Sequence, residues 1–437
     1  MSSTGILILM FGGLTVFLLT GLPVAFVLGG LSVIFTVLFW DASALIILIL
    51  QIFDTMRSEA LLAIPLYIFM AVVLQQSGII EDLYRAMELW FGRLRGGLAI
   101  GTVVICVVMA AMTGVVGAAV TAMGILALPE MMRRGYDARL ATGTICASGT
   151  LGILIPPSVL TIVYSVTAQI SIGKMLIAGI VPGLLLAGLY IAYILIASLV
   201  RPDLAPSVAD APRATLGEKL DALKSLVLPT LIIIMVLGSI FFGIATPTEA
   251  AAVGVLGAVI SAVLCGHLSF SMLRESAEVS LKATAMILWI TIGAKAYVAI
   301  FTGLGGADAL LHSIEKLEVS PYLVLSAMML ILIFLGTVLD EIGIILLTVP
   351  VFLPLVRHFG FDEIWFGVLF ALTIQMGYIS PPFGYTLFYI KSTLPDNVGM
   401  GTVYRGIVPF FLLQLLGLAI CTLFPALTTF LPALMSR

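Results

Sequence analysis

Charge is what this sequence has least of. Asp, Glu, Lys and Arg make up 10% of the 437 residues against 61% hydrophobic ones, a balance that excludes a soluble globular domain. With a mean hydropathy of +1.24, long uncharged runs are the default, and the chain reads as an all-α polytopic membrane protein. The net charge of -3 gives no footing for a nucleic-acid partner. Cysteine is scarce as well. Cys106, Cys146, Cys265 and Cys421 each stand alone in an apolar run, which argues against a disulfide framework or a thiolate metal site. The three histidines, His267, His312 and His358, fall at loop edges in no metal-ligand spacing. Walker loop, nucleophile elbow and zinc motif are all missing, so neither an ATP-driven pump nor a membrane hydrolase is expected, and no enzyme. The first apolar run, Gly5 to Thr20, lacks a preceding basic region and a following A-x-A-like site, so it reads as a span rather than a signal peptide.

What the chain has instead is glycine and proline in places that should be helix. Gly149-Thr150-Leu151-Gly152-Ile153-Leu154-Ile155-Pro156-Pro157 and Gln375-Met376-Gly377-Tyr378-Ile379-Ser380-Pro381-Pro382 each put a glycine and a proline pair inside a membrane-length apolar segment. Proline removes a backbone donor and pushes the preceding residue out of helical geometry. Each segment should therefore unwind at its centre. Lipid cannot satisfy the freed carbonyls and amides, so the breaks must face protein or a watery cavity, the arrangement of a binding site in a secondary transporter.

Around these breaks the predicted elements fall in order. Spans at 5–20 and 22–40 are followed by an interfacial arm at 41–60 and a span at 61–78. The amphipathic stretch 81–95 is expected on the membrane surface. The uncharged run 96–132 is broken by Thr113-Gly114-Val115-Val116-Gly117, and its basic flanks suit a re-entrant hairpin as well as two crossings. Then come the broken helix 138–170, a span at 174–200 and a polar, charge-balanced linker at 201–224. The order then restarts: 225–437 holds a second hairpin at about 321–356 and a second broken helix at 362–394.

The restart is visible in the residues. Between 128–158 and 353–383, at an offset of 225, seven of 31 positions are identical: Leu128/Leu353, Pro129/Pro354, Gly135/Gly360, Asp137/Asp362, Gly152/Gly377, Pro156/Pro381 and Pro157/Pro382. All but the leucines are residues that set backbone shape. Five spans and one hairpin per half, an odd number of crossings, would make 1–200 and 225–437 inverted repeats. With both termini outside, fourteen of the 20 Lys and Arg fall on the cytoplasmic side and five on the outer side, Lys295 lying in a span.

In that arrangement hairpin tips 113–119 and 336–343 approach the midplane from opposite sides, each toward the broken helix of its own repeat. Backbone carbonyls at Gly114, Gly117, Gly149, Gly152, Gly336, Thr337, Gly377 and Ser380 are candidate ligands for a hard monovalent cation. Asp340 is either a further ligand or the cap of the helix that begins beside it. Half-helices starting after Pro156-Pro157-Ser158 and Pro381-Pro382 aim their positive ends at the same region, which suits an anionic substrate. Lys295, costly in a span unless paired, is either an attractor for a substrate carboxylate or a partner of Asp340 or Glu341. Glu249, in Thr246-Pro247-Thr248-Glu249, fits a capping box. The sequence physics favours a cation-coupled anion carrier over a channel.

These residues resemble a family. Met132-Arg133-Arg134-Gly135-Tyr136-Asp137, the run Gly149 to Ser158, Ala178-Gly179-Ile180-Val181-Pro182-Gly183, Ala245-Thr246-Pro247-Thr248-Glu249-Ala250, Leu339-Asp340 and Ser380-Pro381-Pro382-Phe383-Gly384 look like the large membrane subunit of tripartite ATP-independent periplasmic (TRAP) transporters, across both halves. The resemblance implies an elevator-type carrier of the ion-transporter superfamily in a bacterial inner membrane, coupled to sodium (Na+) and importing organic acids. It implies two partners, a small four-helix membrane subunit on a separate polypeptide and a soluble periplasmic substrate-binding protein. The alternative is a stand-alone sodium/dicarboxylate symporter. One departure stands out: Gly117-Ala118-Ala119-Val120-Thr121 replaces the family's Ser-rich first tip, leaving backbone carbonyls with Thr113 or Thr121 as ligands there.

Overall fold

A computed structural model describes residues 3–435 apart from 93, 207–214, 223, 317, 383 and 397. Arg93 and Arg213, counted above on the cytoplasmic side, and Arg437, counted outside, lie outside the described residues, as does Phe383. All regular structure among the described residues is helical. Among the described residues seven helices are long and apolar enough to cross a membrane: Glu59–Gln76, Val116–Arg133, Ile172–Val200, Pro247–Leu264, Phe270–Gly303, Glu341–His358 and Met400–Leu423. Large apolar side chains such as Phe26, Leu38, Phe53, Val200 and Phe242 point outward, the surface a bilayer would cover.

Helix boundaries follow local chemistry. Asp137, Ser158, Asp340 and Asp362 each accept a backbone N–H of the first turn and so start the helices Ala138–Gly149, Val159–Ala168, Glu341–His358 and Glu363–Tyr378. Thr246 and Glu249 form the capping box of Pro247–Leu264. Gly114, at φ +59°, ends Gly97–Thr113 in the left-handed region where a side chain is disfavoured.

The helix order recurs along the chain. Val116–Arg133 and Glu341–His358 start and finish 225 positions apart, and so do the starts Ala138 and Glu363. Where the second half has the single helix Phe270–Gly303, the first half has Leu45–Met56 and Ala63–Gln76, interrupted near Ser58. The halves are packed crosswise. Val159–Ala168, after the first break, lies on Glu341–His358, while Tyr385–Lys391, after the second, lies on Val116–Arg133.

Two stretches differ from the sequence reading. The amphipathic segment forms Ile79–Phe91, but Ile79, Leu83, Ala86 and Met87 are buried against Gly97–Thr113, so the apolar side meets protein rather than lipid. Arg134, paired with Glu88 and with Glu130 at 2.6 Å, ties that helix to the end of Val116–Arg133. The linker is not wholly loose either: Leu216–Ala222 is helical, and Trp90 Nε1 donates to the Lys219 carbonyl at 3.0 Å. Cys106, Cys146 and Cys421 are buried, Cys265 partly exposed, and all four thiols are free.

Candidate functional site

Both proline-pair segments are unwound. The first helix stops at Gly149, tightens into a 3-10 turn over Thr150–Ile153, and resumes at Val159. The second stops at Tyr378 and resumes at Tyr385 for only seven residues. The dipole at that second restart is consequently short, since a macrodipole needs aligned peptides to sum. At the first restart Ser158 already serves the helix: its Oγ donates to the Ile153 carbonyl at 2.6 Å and accepts from Thr161 N–H at 3.4 Å.

The hairpin tips reach these breaks. At Gly114 a Cβ would run into the Pro157 carbonyl oxygen, and at Gly152 it would come within 3.5 Å of the Val115 nitrogen. At Gly377 it would lie 2.7 Å from the Gly336 Cα. At Gly114 and Gly377 glycine permits a backbone-to-backbone contact that a side chain would not leave room for, whereas at Gly152 an added Cβ would make ordinary contact. The structure thus brings Gly114 and Gly152 with Pro157 together, and Gly336 with Gly377. Gly117 and Gly149 have packing partners instead. Gly117 sits in the first helical turn against the Tyr389 ring, 2.6 Å from Cζ for an added Cβ, and Gly149 packs on Val120.

The hydroxyls near the tips share one pattern. Thr113 donates to Met109 O at 2.9 Å, Thr337 to Phe334 O at 2.7 Å and Ser380 to Met376 O at 2.6 Å. Each proton is spent on a helix carbonyl, so the oxygen is left as an acceptor, the polarity a cation requires. Asp340 acts as a cap, taking Gly343 N–H at 3.3 Å.

Lys295 lies elsewhere. Its Nζ is 2.6 Å from Asp54 Oδ2 on the arm, so its partner is neither Asp340 nor Glu341. The pair borders a cleft of about 490 Å³ that also meets Gln169, Pro350 and Arg357.

Three features were not singled out in the sequence. The Thr150 hydroxyl donates to Ala147 O at 2.7 Å, stands 3.2 Å from Gln375 Oε1, and accepts from Gln414 Nε2 at 3.2 Å. All three side chains are buried, and this contact joins the two breaks directly. Thr150 and Gln375 are 225 positions apart, so the repeat offset was the signal that could have found them. Gln414 carried no such signal. The third is a tyrosine stack with an edge-on extension: Tyr378 and Tyr385 stack with ring centroids 4.9 Å apart, and Tyr389 meets Tyr385 edge-on at 5.1 Å. The stack runs from the second tip, where the Tyr378 hydroxyl meets the Glu341 backbone, to Gly117 of the first hairpin.

Comparison with known proteins decides what carries this architecture. Residues 11–427 match the family described as the tripartite ATP-independent periplasmic transporter, DctM component. The chain belongs to that family. Among its relatives, the C4-dicarboxylate TRAP transporter large permease protein DctM of Pseudomonas aeruginosa is 32% identical over 92% of this chain and 93% of its own. The ectoine TRAP transporter large permease protein TeaC of Halomonas elongata is 30% identical over 96% of this chain and 97% of its own. The fold is also that of the YdaH transporter of Alcanivorax borkumensis, with a TM-score of 0.64 over 92% of this chain at 16% identity. This TRAP large permease subunit is therefore a multi-pass transport protein rather than an enzyme.

Proposed function

We propose that this subunit imports a small organic anion across the bacterial inner membrane, coupled to sodium, by an elevator movement. The observation that carries the reading is the pair of unwound segments, each met by a glycine tip and joined through Thr150 and Gln375. The groups around them suit sodium: backbone carbonyls and the lone pairs of Thr113, Thr337 and Ser380 are oxygen donors, the class a hard cation takes. Asp340 and Glu341 add two carboxylates at the second tip, with no acidic counterpart at the first. The recurrence of helices at an offset of 225, together with the charge count, supports inverted repeats with both termini periplasmic. Crosswise packing of the post-break helices gives the two hairpins and two broken helices one common body, as a moving unit requires.

Relatives are named for a C4-dicarboxylate and for ectoine, so family membership leaves the substrate of this chain to its own site. The segments proposed for a small organic carboxylate are Pro156-Pro157-Ser158, which are buried, and Pro381-Pro382, which are exposed and precede Tyr385. Lys295, held by Asp54, contributes at the neighbouring cleft rather than at the tips. The reading requires a small four-helix membrane subunit and a periplasmic substrate-binding protein.

The test is uptake of labelled carboxylates into proteoliposomes holding this chain with its small subunit, with and without binding protein. Saturable uptake that needs both an inward sodium gradient and the binding protein is expected. Uptake by this chain alone would instead make it a stand-alone symporter, and sodium-independent, non-saturating flux would make it a channel.

A further inference from the structure

Away from the breaks, three helix ends converge on a small basic cleft of about 160 Å³. Arg139 comes from the first turn of Ala138–Gly149, Arg201 follows the end of Ile180–Val200, and Arg405 lies near the start of Met400–Leu423. Their closeness is set by glycine: Gly143 packs on the Gly406 carbonyl and Gly406 on the Arg139 carbonyl, so the first and third helices touch backbone to backbone. Tyr193 forms one wall, its ring edge-on to Phe410 at 5.3 Å. Asp137 supplies one carboxylate, and it is already engaged. It accepts from Arg139 Nη2 at 2.6 Å and Nε at 3.0 Å, while its own N–H donates to Leu204 O at 2.9 Å. Arg201 and Arg405 form no ion pair with any described residue.

Two guanidiniums at one cleft, with no ion pair among the described residues, call for a planar or tetrahedral oxyanion, which they bind in forked geometry. What lies beside them narrows the choice. Arg405 continues into exposed Val408 and Leu412, at i+3 and i+7 on one helical face. Arg201 directly follows exposed Leu199 and Val200, with Ile196 one turn earlier. A basic cleft at the head of two outward apolar stripes, with a tyrosine at the boundary, matches a phospholipid from headgroup to chain. A free phosphate would have no use for the stripes.

We propose that Arg201 and Arg405, with Arg139 and Tyr193, hold the phosphate of an anionic phospholipid at this end of the helices. The test is native mass spectrometry of the delipidated full chain titrated with phosphatidylglycerol or phosphatidylcholine. Preferential retention of phosphatidylglycerol by at least tenfold is expected. The Arg201→Gln/Arg405→Gln double variant should lose that preference, with its thermal midpoint unchanged. Should the double variant not fold, Arg201→Gln and Arg405→Gln singly should each weaken retention at least threefold. Arg274→Gln/Lys282→Gln, which removes two cations from another helix, should stay within twofold. Equal retention of both lipids, single variants indistinguishable from the unmodified chain, or full displacement of the lipid by millimolar inorganic phosphate would each overturn the assignment.

Discussion

Pro156 and Pro157 are buried, whereas Pro381 and Pro382, at the same place in the second half, are exposed. The surroundings differ in the same sense. The first break is a 3-10 turn sealed by an uncharged tip, Gly114-Val115, whose backbone rests on Pro157 and Gly152. The second is met by a longer tip that carries Asp340 and Glu341, and it restarts into a short helix with a tyrosine stack. The same sequence device thus serves two ends. In the first half it is closed over by backbone; in the second it is left exposed beside a tip that carries two carboxylates.

Substitutions at the tips are the sharpest way to break this comparison. Gly114→Val would force a branched side chain into the Pro157 carbonyl at a positive φ, and a loss of about 3 kcal/mol or more is expected, read as a large drop in melting temperature with uptake abolished. Gly336→Ala, whose Cβ would stand 3.0 Å from Gly377 Cα, is expected to cost about 1 kcal/mol. Equal effects at the two glycines would mean that the breaks are alike after all. Next in size is the contact between them. Thr150→Val strands Gln375 and Gln414 in a buried setting, at about 1–3 kcal/mol in a denaturation series. Little change there would show that the breaks are positioned independently.

Asp340→Asn sharpens the charge difference, because asparagine caps a helix as well as aspartate does. Stability should hold within about 0.5 kcal/mol, while the sodium concentration for half-maximal uptake rises roughly tenfold, the factor equivalent to one charged contact of about 1.4 kcal/mol. An unchanged sodium dependence would leave Asp340 as a cap alone. The smallest effect belongs to Lys295→Met. Its partner Asp54 is mostly exposed, so the pair contributes about 0–1 kcal/mol to a thermal melt.

The breaks, the glycine tips and the offset of 225 were legible in the sequence because proline and glycine act through local backbone geometry. The capping box of Thr246 and Glu249, and the cap as one of two roles for Asp340, were readable for the same reason. What escaped was set by packing over long separations. Lys295 finds Asp54 across 241 positions, and nothing near either residue announces the other. Tyr389 matters because Gly117 leaves room for its ring. Gln414 looks like one polar residue in an apolar helix until Thr150 is placed beside it. The amphipathic stretch at 81–95 carried the pattern of a surface helix, but the pattern does not say whether its apolar face meets lipid or a neighbouring helix.

The crosswise packing has a consequence for how the chain is made. Val159–Ala168 leaves the ribosome long before Glu341–His358, the helix it rests on, exists. At ordinary synthesis rates that interval is roughly 10–40 s. Throughout it the nascent first half holds an unwound stretch in the bilayer with its eventual neighbour missing. Insertion machinery must shelter that stretch meanwhile, since lipid cannot satisfy it, and separately expressed halves should be degraded unless both are present together.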